Sequence, residues 1–304
     1  MPRLPRPSAR RGGAGALVLL FAVAALRRVP VLGRIWALFA GTRLGRMISA
    51  RPHLWQLLHS PFIHAEWRAR ERVERLLDHY EIVEQLGRPF DLPLHGFADL
   101  AELAEIGTDY RLKLDSPGWV FRDGLLTLSL WSGPDRLFSL HFLFGREDGR
   151  RVAFIGGIQG RSGENAREQY RAFAQEAAGM HPGHVLVELF RAMCRESGIE
   201  RILAVSNTTR HQRAQHYTKR AGYTDPVELD YDALWLQRSA EEQDGLFEFA
   251  VILPERDEAA IPRSKRARHR ARRHLLRRLQ QRIAMRLADV RAIPIDRHAE
   301  GSTD

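Results

Sequence analysis

Three glycines crowd the segment RVAFIGGIQGR (Arg151 to Arg161): Gly156, Gly157 and Gly160 strip side chains from the end of an apolar run. A small molecule could lie along such bare backbone, with Gln159 and Arg161 offering donors to an anion or an amide. A β-bulge and tight turn are the alternative, filled from within. His211 follows Asn207 at the expected start of a helix and is a candidate general base, because imidazole titrates near neutral pH. A capping or packing role is the competing reading of that histidine. DYDALW (Asp230 to Trp235) reads as a strand, with Asp230 and Asp232 on one face and Tyr231 and Trp235 on the other. Paired carboxylates of this kind suit an amine, a metal or an arginine, and Asp232 is a candidate acid-base partner. A salt bridge to the basic tail is their internal alternative. No His or Cys stands at ligand spacing beside them, so no metal is expected.

The elements that must position these residues follow from apolar periodicity. His64 to Leu86 places Trp67, Val73, Leu76, Leu77, Tyr80, Val83 and Leu86 at helical spacing, and the region to about Gly107 reads as a helical module. The period then changes to two. Tyr110–Ser116, Gly118–Gly124, Leu125–Ser132, Arg136–Gly145 and Arg151–Gly160 read as an antiparallel meander, with turns at Asp123-Gly124, Gly133-Pro134 and Asp148-Gly149. Helices at Glu164–Ala178, Val185–Ser197 and Thr209–Ala221 then alternate with strands at Arg201–Ser206, Asp230–Gln237 and Gly245–Ile252. The expected fold is α/β, an α+β mixed sheet with helices on its faces. The segments are 1–50, basic and hydrophobic; 51–107, helical; 108–255, the mixed core; and 256–304, a basic helix and tail.

Charge is distributed in blocks. Residues 1–65 hold ten arginines and no acidic residue; residues 66–262 hold 24 basic against 33 acidic residues; residues 263–291 hold twelve Arg or Lys against Asp289 alone. Basic ends around a mildly acidic body favour an anionic membrane surface or nucleic acid, unless they dock on the body itself. In the tail Leu275, Leu279, Ile283 and Leu287 recur every four residues among arginines, a basic amphipathic helix. Arg263, Lys265, Arg266, Arg268, Arg270, Arg272 and Arg273 are its candidate anion-binding residues. The leucine stripe packing on the core, with the arginines outward, is an equal alternative. Neither a helix-turn-helix nor zinc-finger spacing is present, which disfavours sequence-specific DNA reading.

The single cysteine, Cys194, excludes an internal disulfide and sits in a run that reads as helix packing. Arg3 to Arg11 followed by the apolar stretch Ala14 to Leu26 admits an export signal cut near Ala22-Val23-Ala24, a membrane-touching helix, or a mis-called start. A cytoplasmic protein peripheral to the inner membrane is the favoured expectation.

The order of RVAFIGGIQGR, ILAVSNTTRH (Ile202 to His211) and DYDALW resembles the VirK/YbjX family of bacterial proteins. So do the paired strands of Asp123 to Gly145 and the basic run after Ile261. That resemblance names a relative and no reaction, though it implies a link to virulence or envelope functions. The order of meander, glycine-containing strand, helix, strand and helix also resembles the core of GNAT-type acyltransferases. This second resemblance implies an acyl-CoA donor, an acceptor amine, and a cofactor cleft shaped by Gly156, Gly157, Gln159, Gly160, Arg161, Gly183, His184 and Asn207. The N-terminus of the helix at Gly183 to Val185 would receive phosphate, and Tyr217 would stand for the general-acid tyrosine, beside His211 and Asp232 as catalytic residues. The sequence departs from that pattern: the pyrophosphate loop lacks its basic start, and Tyr217 lies one residue farther than usual from Gly222. Two readings result, an acyltransferase-like enzyme with a small-molecule ligand and a non-catalytic protein that binds anionic lipid or nucleic acid.

Overall fold

Continuous apolar runs in the middle of the chain form strands buried on both faces, and helices cover them as expected. The computed structural model describes residues 51, 54–118, 120–163, 165–219, 229–253, 259 and 261–292. Met1–Leu54 and Trp55–Asp304 are separate compact units, and the elements below all belong to the second. In chain order they are α1 (Trp55–His59), α2 (Ala69–Leu86), β1 (Phe97–Glu102), β2 (Tyr110–Asp115), β3 (Leu126–Ser132), β4 (Asp135–Glu147) and β5 (Arg150–Gly160). Then come α3 (Ala166–Glu176), α4 (Pro182–Glu196), β6 (Arg201–Val205), a 3-10 turn (His211–Arg213), α5 (Gln215–Thr218), α6 (Tyr231–Leu236), β7 (Glu241–Gln243), β8 (Leu246–Phe249) and α7 (Arg263–Ala292).

One eight-stranded sheet has the order β1-β2-β3-β4-β5-β6-β8-β7. Neighbours are antiparallel except β5 and β6, which run parallel, joined by the α3–α4 crossover. The mixed sheet matches the expected fold class.

Four local expectations are corrected. The module to Gly107 contains a strand, β1, because Phe97–Glu102 pairs with β2 along the sheet edge. Gly118–Gly124 is no strand: the amides of Asp123 and Gly124 both donate to the Val120 carbonyl, at 2.8 and 3.2 Å, closing a turn. Asp230–Gln237 is a helix, since Asp230 caps it by accepting from the Ala233 amide at 3.0 Å. The helix expected over Thr209–Ala221 is broken into the 3-10 turn and α5, and its end, with Arg220 to Tyr223, lies outside the described residues. The expectations for residues 1–50 lie outside them too.

The basic tail forms the long helix α7, whose apolar stripe is spent inside the protein. Leu275, Leu279, Ile283 and Leu287 are buried, and the helix packs against α4 and β1. Arginines fasten it. Arg282 forks onto the nearly buried Glu105 carboxylate at 2.6 and 3.2 Å, which holds that acid below its ordinary pKa despite burial. Arg272 donates to the carbonyls of Ala178 (3.0 Å) and Gly179 (2.6 Å) just beyond α3. Of the two tail readings, the leucine stripe therefore docks on the core.

Candidate functional site

The glycine strand carries a bulge. Gly157 pairs with His141 and Ile155 with Phe142, so Gly156 is the extra residue in β5. Its missing side chain is used internally: a Cβ there would run into the Asp123 carbonyl and lie 2.8 Å from Ile63 Cγ1. Ile63 is itself unusual, a β-branched residue at φ 54°, held by donation of its amide to the Arg122 carbonyl at 2.7 Å. Asp123 fills the space beside Gly157, its Oδ1 lying 3.3 Å from where a Cβ would be.

This packing assembles a buried polar cluster from three distant segments. Asp123 Oδ1 accepts from Gln212 Nε2 at 3.0 Å and lies 3.4 Å from His211 Nδ1. Burial raises the Asp123 pKa to about 7, against the opposing pull of Gln212, Arg122 and Arg210. Burial and the same two arginines lower the His211 pKa to about 3. The His211 and Tyr217 rings meet edge to face at 5.9 Å, and the Tyr217 hydroxyl donates to the Pro61 carbonyl at 3.0 Å. Two expected catalytic residues, His211 and Tyr217, are thus brought together, and the acid beside them is Asp123. Sequence reading passed over Asp123 as a turn residue; nothing local marks it, because its burial depends on the bulge across the sheet.

Asp232, the third expected catalytic residue, is engaged elsewhere. Its Oδ1 accepts from the Asn207 amide at 2.7 Å; the Asn207 side chain donates to Asp230 Oδ1 at 2.7 Å and accepts from the Tyr231 amide at 2.8 Å. These bonds staple the end of β6 to the start of α6. Asn207 is a hinge pin of the fold there.

Beyond Ile155 and Ala204 the parallel strands β5 and β6 part. Two side chains of α6 fill the wedge. The Tyr231 hydroxyl accepts from the Ile158 amide at 3.3 Å and faces its carbonyl at 3.4 Å, while Trp235 Nε1 donates to the Val205 carbonyl at 2.8 Å. Both rings are buried and stack edge to face on one another, with Phe249 behind Trp235. Farther along, a Cβ on Gly160 would run into Tyr170 and Phe138; Arg161 pairs with Asp135, and Gln159 and Gly160 are exposed.

The start of α4 is also satisfied from within. Pro182 has no N–H, the Gly183 amide donates to His181 Nδ1 at 3.2 Å, and the amides of His184 and Val185 donate to the His181 carbonyl at 2.9 and 3.2 Å. A Cβ on Gly183 would lie 2.9 Å from the Phe138 ring. The free donors expected at Gly183 to Val185 are therefore all taken.

A second region has the opposite character. A groove of about 1040 Å³ runs between the outer face of α4, the segment 250–253 and α7. His184, Glu188, Arg191 and Arg195 repeat along α4 at helical spacing; Arg238 joins them from beyond α6, and His269, Arg272 and Arg273 from α7. Arg191 is buried, with Nη1 3.4 Å from Glu188 Oε1 and Nη2 donating to the Arg238 carbonyl at 2.6 Å. Buried nitrogens remain without hydrogen-bond partners: Arg191 Nε, Arg238 Nε and His184 Nδ1. Burial, followed by Arg238, Arg272 and Arg191, lowers the His184 pKa to about 4. Of the expected residues, His184 and Arg272–Arg273 belong here. The rest of the cation set was missed, although the spacing of His184, Arg191 and Arg195 was visible in the sequence.

Among the described residues no three His, Cys, Asp or Glu gather at metal-binding distance, and no helix is long and apolar enough to cross a membrane. Cys194 is buried in α4 and its thiol pKa is raised by burial, which suits packing.

Residues 18–285 match the profile of a family described as "Protein of unknown function (DUF535)", and the chain belongs to that family. It is similar to the "Uncharacterized protein YbjX" of Escherichia coli (strain K12), 23% identical over 247 residues, which cover 79% of this chain and 74% of the relative. The VirK/YbjX resemblance read from the motifs is thereby established, and neither description carries an activity.

Proposed function

We propose that this protein is a non-catalytic member of its family that binds the surface of an anionic membrane through α7. The observation that carries this reading is how α7 is seated: Leu275, Leu279, Ile283 and Leu287 are buried while Arg263, Lys265, Arg268, Arg270, Arg277 and Arg278 are exposed along a single helix. With the leucine stripe packed on the core, attachment is chiefly electrostatic and peripheral, worth about 1 kcal/mol per basic residue and screened by salt. The test is flotation with vesicles containing anionic lipid. Replacing Arg263, Lys265 and Arg270 with glutamate should weaken binding by more than about a hundredfold, as should raising salt to about 0.5 M. Unchanged binding of that folded variant rejects the reading.

An acyltransferase-like activity is the second reading. The parallel β5–β6 pair, the bulge at Gly156 and the β8-β7 hairpin beside β6 support a GNAT-like core. Against a donor in the cleft stand the Tyr231 and Trp235 side chains within it and the engaged amides at the start of α4. Calorimetry with acetyl-CoA and a long-chain acyl-CoA decides: measurable binding that Tyr231→Ala alters supports an enzyme, and no heat from either removes it.

A further inference from the structure

The groove between α4, residues 250–253 and α7 combines features that surface attachment does not need. Arg191 is buried and His184, Arg238, His269, Arg272 and Arg273 are half-buried, and they line a hollow from three separate stretches of chain, with Arg195 and Arg277 exposed beside them. The acids lining it are Glu188, against Arg191, and the exposed Glu241. The Nε atoms of Arg191 and Arg238 are buried without hydrogen-bond partners, so the positive charge beside the hollow is not fully offset from within the chain. One border of the hollow is apolar and open to solvent: Ile252 is 68% exposed and Leu253 38%. Cations at the floor and exposed aliphatic side chains at the rim match a molecule that is anionic at one end and apolar at the other.

We propose that this groove is a discrete site for the phosphate headgroup of a phospholipid, held by Arg238 and Arg272 with the buried charge of Arg191 beside them, and with the first methylenes of the acyl chains against Ile252 and Leu253. Guanidinium groups suit a phosphate because each keeps its charge at any physiological pH and carries five N–H donors, more than the two carbonyls that Arg272 already meets can use. The proposal deepens the membrane reading and rests on it: α7 brings the protein to the surface, and the groove selects one lipid there.

The test is titration calorimetry of the full chain with monomeric short-chain phosphatidic acid, with short-chain phosphatidylcholine and inorganic phosphate as comparisons. One phosphatidic acid should bind per chain, and Arg238→Gln should weaken it by about tenfold, the loss of one charge-assisted hydrogen bond. Glu188→Gln, which removes the acid competing for Arg191, should tighten it by a similar factor; misfolding cannot produce that gain. Inorganic phosphate binding as strongly as the lipid would leave a phosphate site without lipid selectivity, and no binding of the lipid by the wild-type chain would overturn the proposal outright. The surface variant with glutamates at Arg263, Lys265 and Arg270 separates the two readings. It should keep the monomeric lipid while losing vesicles. Loss of vesicles without any lipid site sinks only the groove, and an Arg238-dependent lipid site in a wild-type chain that ignores vesicles sinks only the surface.

Discussion

The wedge between β5 and β6 and the groove beside α7 lie in the same compact unit and are opposites in chemistry. In the wedge the polar groups have partners within the chain: Tyr231 with Ile158, Trp235 with Val205, and Asp232 and Asp230 with Asn207. In the groove buried donors lack acceptors and positive charges crowd one another. Conspicuous residue types therefore mark a place where the fold closes on itself. The groove, by contrast, is built from arginines that look ordinary one at a time.

That contrast can be broken experimentally, and the largest effect belongs to α7. Ending the chain at Pro262 exposes the partners of Leu275, Leu279, Ile283 and Leu287, each worth about 1.5–3 kcal/mol when fully buried. The melting temperature should fall by more than about 10 °C or the cooperative transition should vanish; an unchanged transition by calorimetry would mean the helix is an appendage. Next comes the wedge. Trp235→Ala should cost about 3–5 kcal/mol in urea titration, because it empties a fully buried site and leaves the Val205 carbonyl unpaired. A loss below about 1 kcal/mol would show that the wedge tolerates an opening. Gly156→Ala should cost about 1–3 kcal/mol by driving a methyl into Ile63 and the Asp123 carbonyl.

Asp123→Asn gives a smaller, pH-dependent effect. The folded pKa of about 7 lies above the ordinary 3.8, so the native state holds its proton longer than the unfolded chain. Stability from this group is complete at acid pH and declines as pH rises through about 7. His211, whose folded pKa is near 3, pulls the other way below about 6.5. The stability of the Asn variant relative to wild type should therefore rise steadily from about pH 4 to pH 7 and then level off. A difference independent of pH would mean that Asp123 is ionised throughout. Smallest of all is Arg238→Gln, which should lower stability by no more than about 0.5 kcal/mol, because its Nε has no hydrogen-bond partner to lose. A loss as large as that of Trp235→Ala would erase the distinction between the two regions.

Periodicity alone made much of the sheet legible. The strands at Tyr110, Leu126, Arg136, Arg151 and Arg201 are where alternation and apolar runs place them, and the crossover helices follow. Expectations failed where local pattern was overridden. DYDALW alternates like a strand, yet Asp230 is a strong helix cap and Tyr231 and Trp235 find their partners only on a helix. The segment before Asp123-Gly124 is apolar like a strand, but its residues turn to plug the bulge. The candidate site was legible in part. His211 and Tyr217 do meet, as the motif reading implied, while Asp123 and the α4 cations depend on contacts between segments far apart in sequence. The glycines alone admit either a ligand or an internal filling; the three-dimensional packing of Ile63 and Asp123 decides what occupies the space beside Gly156 and Gly157.

Tyr231 and Trp235 stand four residues apart on one short helix, and each grips a different strand of the parallel pair. One turn of helix thus acts as a gauge block that sets how far β5 and β6 diverge. Inserting a single residue between them would swing Trp235 by about 100° around the helix axis, so that one strand would be released while the other stayed gripped.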